Sequence, residues 1–305
     1  MTDQLDLRDL RYFETIAETG HLGRAAKKLF RTQPALTGCV RRLEETLGTA
    51  LFERAGRGIR MTAAGGALLV RARALRVAAE EAVREIGDLG RGLSGQVRIG
   101  TVPTVARFLL PPVCRELLKE APGVTLKTYI AHNNLLMQSV KSGDLDLVVS
   151  FSTRADEELV AHDILEDDVV VVAARNHGIF RRKPKLRDLL DYRWVLAGPD
   201  VGTRQWLEHA FHSRGLPSPT VQIETNLLLL LPPLIAENNL LSFVSRRHVG
   251  ARDSMLKEVP LRETTMRRKF ALTYRKQSYL SPAAARLVEL LLTRGEKLFR
   301  EGLRK

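Results

Sequence analysis

The stretch GHLGRAAKKLFRTQPALTGCVRRLE, residues 20–44, decides how the rest of the chain is read. Its first half puts Ala25, Ala26 and Leu29 on one face of a short helix and leaves Arg24, Lys27, Lys28 and Arg31 outside; the alanines permit close helix contact. Its second half carries Leu36, Val40 and Leu43, continued by Leu47, at steps of three and four, the stripe of a second helix packed on a core. Thr32 stands where an N-cap belongs, its hydroxyl able to accept from an orphan amide of the first turn. Pro34 is tolerated there because those amides have no intrahelical partner, so the helix starts near Gln33. The pair reads as a helix-turn-helix. Its outward face holds Gln33, Pro34, Thr37, Gly38 and Arg41: hydrogen-bonding groups, an apolar surface for a thymine methyl, and a cation. Such a face suits a DNA major groove. A helical hairpin with merely solvated charges would show the same periodicity, so the flanking sequence has to decide.

Upstream, LRDLRYFETIAET (7–19) sets Leu7, Leu10, Phe13 and Ala17 on one helical face, a third helix able to cover the other two. Downstream, after Leu51 and Phe52, the run ERAGRGIRMT has Gly56 and Gly58 to turn the backbone. Arg54, Arg57 and Arg60 project from a short hairpin, a wing that places cations over phosphates or into a minor groove. An arginine-rich turn is ordinarily a solvated loop; beside a helix-turn-helix it reads as a DNA contact. Between Arg24 and Arg76 there are twelve Lys and Arg against three acids, Glu44, Glu45 and Glu53, the electrostatic footprint of a polyanion-binding surface.

From a Thr62 cap the chain reads as one long helix. Leu68, Ala72, Leu75, Ala79, Ala82, Ile86 and Leu89 follow at spacings alternating between four and three, a heptad seam. About 28 residues give a rod of roughly 42 Å, too sparsely apolar to be buried inside a domain. Its expected partner is the same helix of another subunit, although a helix lying on its own domain would also use such a stripe. A two-fold dimer presents two recognition helices to an inverted-repeat site. Gly87, Gly90, Gly92 and Gly95 then break the helical pattern and place a hinge at 88–95.

Residues 10–65 resemble the DNA-binding domain of the LysR-type transcriptional regulators. The resemblance rests on Ala25–Ala26, TQPAL at Thr32 to Leu36, Leu43–Glu44, Leu47–Gly48, LFER at Leu51 to Arg54, and T-x-x-G at Thr62 to Gly65. Thr32 and Thr37 stand where the family usually has serines, and Gly38 and Cys39 where it commonly has long polar residues. The resemblance implies DNA contacts by Thr32, Gln33, Pro34, Thr37, Arg41, Arg54 and Arg57, and dimerisation through Leu68, Ala72, Leu75, Ala79, Ala82 and Ile86. It further implies assembly to a tetramer, and an effect on transcription through DNA bending or contact with RNA polymerase.

Beyond the hinge, short apolar runs alternate with helical stretches: QVRIG, a helix over 107–119, VTLKTYI, a helix over 135–141, and LDLVVSF. There follow VVVVAA at 169–174, WVLA, a helix over 204–214, VQIET, a helix over 226–238, LLSFV, KFALTYR at 269–275, and a terminal helix after Pro282. Continuous apolar strands between helices argue for a parallel sheet covered on both faces, with Asp167 and Asp168 at the start of a strand. Through RIGTVPTVARFLLP, SGDLDLVVSF and SPAAARLVELL this region is similar to the family's effector domain, which has the two-lobed α/β fold of periplasmic solute-binding proteins. The expected organisation is therefore a winged helix-turn-helix at 1–61, a linker helix and hinge at 62–94, and an α/β effector domain at 95–305. Its first lobe comprises 95–165 and 266–305, its second 166–265.

In an open α/β sheet ligands bind beyond the carboxyl ends of strands. The loops there offer Thr101 and Thr104, Ser152, Thr203 and Arg204, and Asn226, which match the family's effector cleft. The hydroxyls of Thr104 and Thr203 are equally placed to serve as caps. Arg204 at a helix start suggests a small anionic effector.

The 305-residue chain carries a formal charge of +13 and only two cysteines, Cys39 and Cys114, which fall in different predicted domains and point to a reducing cytoplasm. The amino terminus does not resemble a secretory signal, and the apolar run NLLLLLPPLIA is interrupted by Pro232 and Pro233 and too short to span a membrane. No G-x-S-x-G, P-loop or H-E-x-x-H sequence occurs, and His209 and His212 lack a third ligand at useful spacing, so neither an enzyme nor a metal or cofactor site is expected. A solute-binding protein would not need the basic first domain, and an architectural DNA protein would not need the lobes.

Overall fold

The computed structural model describes residues 5–56, 58–89, 93–152, 156–227, 230–249 and 254–301. The chain divides into two compact units, residues 1–90 and 91–305.

In the first unit, α1 (Leu7–Thr19), α2 (Leu22–Leu29) and α3 (Gln33–Leu47) precede the hairpin β1 (Phe52–Ala55) and β2 (Gly58–Met61), and α4 (Ala63–Asp88) follows. Each boundary has a chemical cause. The Asp6 carboxylate accepts from the Arg8 amide at 2.8 Å to start α1, Thr32 Oγ1 accepts from the Ala35 amide to start α3, and Gly20 and Gly48 close α1 and α3 in the left-handed region. Phe30 closes α2 at φ +53°, a conformation costly for a bulky side chain. Phe13, Ile16, Ala25, Ala26, Leu36, Leu43 and Leu51 form the buried centre. The inward stripe of α3 differs from the expected one: Cys39 is fully buried and Leu47 is exposed, because the helix turns Cys39 toward Asp9 of α1.

Thr62 ties α4 to the domain twice, donating to the Ala50 carbonyl at 2.7 Å and accepting from the Gly65 amide at 3.0 Å. The helix then lies along α1. Ala72 is fully buried there, Leu68 packs against the same core, and Arg76 reaches Glu14 at 3.3 Å. The heptad seam is therefore divided. Ala72 faces its own domain and cannot meet a second subunit, whereas Leu75, Ala82 and Ile86 are exposed and Ala79 is half-buried. The helix runs to Asp88, where the expected hinge begins; Gly90 and Gly92 lie outside the described residues.

In the second unit, β3 (Ser94–Thr101), α5 (Pro103–Phe108), α6 (Leu110–Glu120), β4 (Gly123–Ile130), α7 (Asn133–Lys141) and β5 (Leu147–Phe151) build one lobe with α10 (Pro282–Glu301). A 16-residue strand, β6 (Leu159–Ala174), leaves that lobe and enters the other, which contains β7 (Arg193–Leu196), α8 (Gly202–His212), β8 (Thr220–Glu224), α9 (Leu231–Asn238), β9 (Ser242–Ser245) and β10 (Leu256–Glu258). Strand β11 (Met266–Arg275) returns beside it.

β3 pairs in parallel with β4 and β5, and β7 with β8, but β6 and β11 run antiparallel to each other, and β11 to β5. The sheet is mixed, not parallel as expected, because one connection leaves the first lobe and the other returns to it, side by side. Asp167 and Asp168 accordingly lie in the middle of β6, at the passage between lobes, and do not begin a strand. The apolar run VVVVAA is continuous for the expected reason: Val169, Val171 and Ala173 enter one core of the second lobe while Val170 and Val172 enter another on the opposite face.

Candidate nucleic-acid interface

Helix α3 divides cleanly by chemistry. Leu36, Cys39 and Leu43 are buried, while Gln33, Pro34, Thr37 and Arg41 are exposed and line an open depression floored by Gly38. The Thr37 hydroxyl donates to the Gln33 carbonyl at 3.1 Å, which leaves its lone pairs and methyl outward. Arg41 makes only a loose pair with Glu45, at 3.5 Å and fully in solvent. Cys39 takes no part in this face. Its thiol contacts the Asp9 carbonyl, and burial beside Asp9 pushes its pKa to about 12, so it is an inert core group.

The cations of the domain sort into two sets. Arg42 grips the buried carboxylate of Asp9 through bonds of 2.8–3.1 Å, Arg60 holds Glu53, Lys28 holds Glu18, and Arg31 donates to the Tyr12 hydroxyl. These fasten the helices and the wing. Arg54, at the outer end of β1, is exposed and has no ionic partner among the described residues, as do Lys27 and Arg71. Arg57 lies outside the described residues. Thr32, expected to touch DNA, is occupied as a cap but exposed, a combination that still permits a hydroxyl contact.

The expected effector residues do not share one environment. Thr101, at the end of β3, is fully buried with a hydroxyl that has no hydrogen-bond partner. Thr104 is not a cap; it accepts from Arg268 at 3.1 Å. Ser152 is exposed, its hydroxyl bonded to Asp163, whose carboxyl that bond draws below the usual range. Asn226 accepts from the Gly198 amide and so fixes the loop after β7. Thr203 is half-buried in the first turn of α8. Arg204 departs from expectation: it donates to Glu208 at 2.9 Å, Glu224 at 3.0 Å and the Ala197 carbonyl at 3.0 Å. Two carboxylates of its own lobe balance its charge, and the argument for an anionic effector loses its electrostatic basis.

What sequence reasoning missed lies at the passage between lobes. Arg268 of β11 is buried and bonds the Asp167 carboxylate of β6 at 2.7 Å, while Asp167 accepts from Ser245 at 2.7 Å. His248 packs edge-on against Phe108, with its Nε2 buried and unpartnered; burial, with Arg107 and Arg268 nearby, holds its pKa down to about 4. The partners in the ion pair stand 101 residues apart, and no local pattern joins them.

Comparison with known proteins agrees with both units. A family profile described as bacterial regulatory helix-turn-helix protein, lysR family, matches residues 7–66, and one described as LysR substrate binding domain matches 90–296. The chain is 28% identical to the HTH-type transcriptional regulator GbpR of Azospirillum brasilense, covering 98% of this chain and 90% of that protein. It is likewise 28% identical to the HTH-type transcriptional regulator EstR of Acinetobacter baylyi, covering 93% and 95%. Among solved structures, a full-length OxyR from Pseudomonas aeruginosa superposes with a TM-score of 0.65 at 22% identity, covering 98% of this chain and 97% of that one. Full-length CbnR complexed with its target DNA gives 0.64 at 24% identity, covering 95% and 99%. At these identities the structural likeness speaks for the fold.

Proposed function

The chain belongs to the LysR family of DNA-binding transcriptional regulators with an effector-binding domain, and from that premise we propose that α3 reads promoter DNA with Gln33, Pro34, Thr37 and Arg41. Arg54 and Arg57 of the wing hold the phosphates. The carrying observation is the division of α3: the inward side chains Leu36, Cys39 and Leu43 are spent on the core, and the outward ones surround an open depression that presents hydrogen-bonding groups, an apolar surface and a cation. Gln33→Ala should relax preference at particular base pairs, and Arg54→Ala should weaken binding to all duplexes while lowering the salt slope by about 0.9 per contact. Equal loss on every sequence for Gln33→Ala would remove it from base readout.

The outer face of α4, with Leu75, Ala82 and Ile86, pairs with a second copy in a dimer that assembles further to a tetramer. This is supported by 70% exposure of Ile86 and 75% exposure of Val83 on a helix whose other face is already docked. The protein works in the cytoplasm, with promoter DNA and RNA polymerase as its macromolecular partners. No helix among the described residues is long and apolar enough to cross a membrane.

The second unit binds a small molecule between its lobes, near Thr101, Thr104, Ser152, Thr203 and Asn226. The buried, unpartnered Thr101 hydroxyl supports this, since such a group costs about 1–3 kcal/mol unless something satisfies it. Melting of the effector domain against a panel of metabolites tests it: a ligand at about a hundred times its Kd adds roughly 2.7 kcal/mol. No shift with any compound on a folded domain, and none on the full chain, would count against a sensing role.

A further inference from the structure

Between Val169 and Arg187 the chain contains no acid, and its last seven residues, RRKPKLR, carry five cations. The structure arranges them. A 3-10 turn, Gly178–Arg181, and another, Leu186–Asp191, are joined by extended backbone, with φ −138° and ψ 168° at Arg182 and φ −114° and ψ 159° at Lys185. Pro184 and Leu186 are buried in the second lobe, while Arg181, Lys183, Lys185 and Arg187, at alternate positions, are all exposed. None of the four makes an ion pair among the described residues; Asp188 takes Arg182 instead. Lys257 of β10 adds a fifth cation alongside, its ammonium 4.6 Å from the Phe180 ring centroid.

We infer that this segment is a second, sequence-independent phosphate-binding surface for duplex DNA, located on the effector domain and distinct from the winged helix-turn-helix. The inference rests on the DNA-binding function given above. The choice of occupant follows from what the surface lacks as well as what it holds. A protein partner needs an apolar centre to its interface, and no large hydrophobic side chain between 176 and 193 is exposed. The four cations lie along a stretch of at most about 20 Å, so they face a row of charges, not a single group. One DNA strand offers a phosphate for every 3.4 Å or so of helix axis, about six over that length. Exposed Lys183 and Lys185 on the extended connection, flanked by Arg181 and Arg187 in the two turns, give phosphate contact without base readout, since nothing between them reaches a groove edge.

The test measures the salt dependence of binding by the full-length chain to a long duplex of mixed sequence. The variant carries Arg181→Gln, Lys183→Gln, Lys185→Gln and Arg187→Gln together, with Arg54→Ala as a wing control. All four side chains are exposed, so melting temperature should be unchanged. If all four engage, the slope of log K against log salt falls by about 3.6 per bound protomer, and by about 0.9 for Arg54→Ala. A companion variant with Lys183→Arg and Lys185→Arg should keep the parental slope. A normal slope in the quadruple variant, with the wing control reduced, overturns the inference and leaves the DNA-reading head intact. The same normal slope with loss of binding to polyglutamate assigns the surface to an acidic polypeptide and also overturns it. Failure of the parent chain to bind any duplex would instead remove the premise shared by both readings.

Discussion

Replacing Gly38 by alanine should move stability and DNA binding in opposite directions. Gly38 lies inside α3 with ordinary helical geometry, so the substitution relieves the entropic cost of glycine, worth about 1 kcal/mol. Space is available: an added Cβ would meet only the Arg42 guanidinium, at 3.7 Å, an ordinary contact. For a folding unit of about this size 1 kcal/mol raises Tm by about 4–8 °C. The same methyl would stand in the depression between Gln33, Thr37 and Arg41. If DNA bases approach there, displacing them costs on the order of 1 kcal/mol, about fivefold in Kd. Gly66→Ala is the matched control. It sits in α4 with nothing within 4 Å of its added Cβ, and should give the same stabilisation with no change in DNA affinity. Calorimetry and fluorescence anisotropy on a selected duplex read the two effects. Undiminished affinity in Gly38→Ala would show that DNA does not enter the depression; a lower Tm would refute the packing argument itself.

Gly65→Ala should do the reverse of its neighbour: its Cβ would lie 2.2 Å from the Leu51 carbonyl oxygen, and the overpacking, about 1–3 kcal/mol, outweighs the helical gain, so Tm should fall. Phe30→Asn should stabilise by about 1 kcal/mol, read as a rise in denaturant midpoint, because φ +53° suits asparagine and Phe30, 94% exposed, gives up no packing. Arg268→Met leaves Asp167 buried with Ser245 as its remaining partner and should cost about 3–5 kcal/mol; adding Asp167→Leu should restore much of it, and failure to do so would mean the pair is not the source of the loss. His248 is protonated near pH 6.5 when unfolded but only near 4 when folded, so the unfolded chain binds more protons in that window. Stability should fall as pH drops from about 6.5 toward 4, by at most about 1.4 kcal/mol per unit. His248→Asn should flatten the Tm–pH curve in that range, and parallel curves would contradict the assignment.

The first unit was legible because its determinants are local. Thr32 and Thr62 announce helix starts within three residues, and the Gly56–Gly58 turn announces the hairpin. Where local reading failed, packing against a distant element decided: Cys39 went inward because Asp9 and Leu10 of α1 lie opposite it, and Ala72 left the presumed seam because α1 covers it. In the second unit the element types followed from apolar runs, but strand direction did not, since β11 reaches its place only by returning from the other lobe. Arg204 illustrates the same limit at a site. Its position at a helix start was readable, whereas Glu224, 20 residues away, neutralises it only after the chain folds.

The anchoring of α4 has a mechanical consequence. Thr62 bonds to both the wing connection and the first helical turn, and Ala72 and Arg76 continue the attachment along α1, so head and rod turn as one rigid lever. At 1.5 Å per residue the 26-residue rod is about 39 Å long. A tilt of about 10° at one end sweeps the other through roughly 7 Å, about two base-pair steps. If α3 reads a groove as proposed, a small torque at Asp88 would re-register it along that groove without altering a contact inside the head.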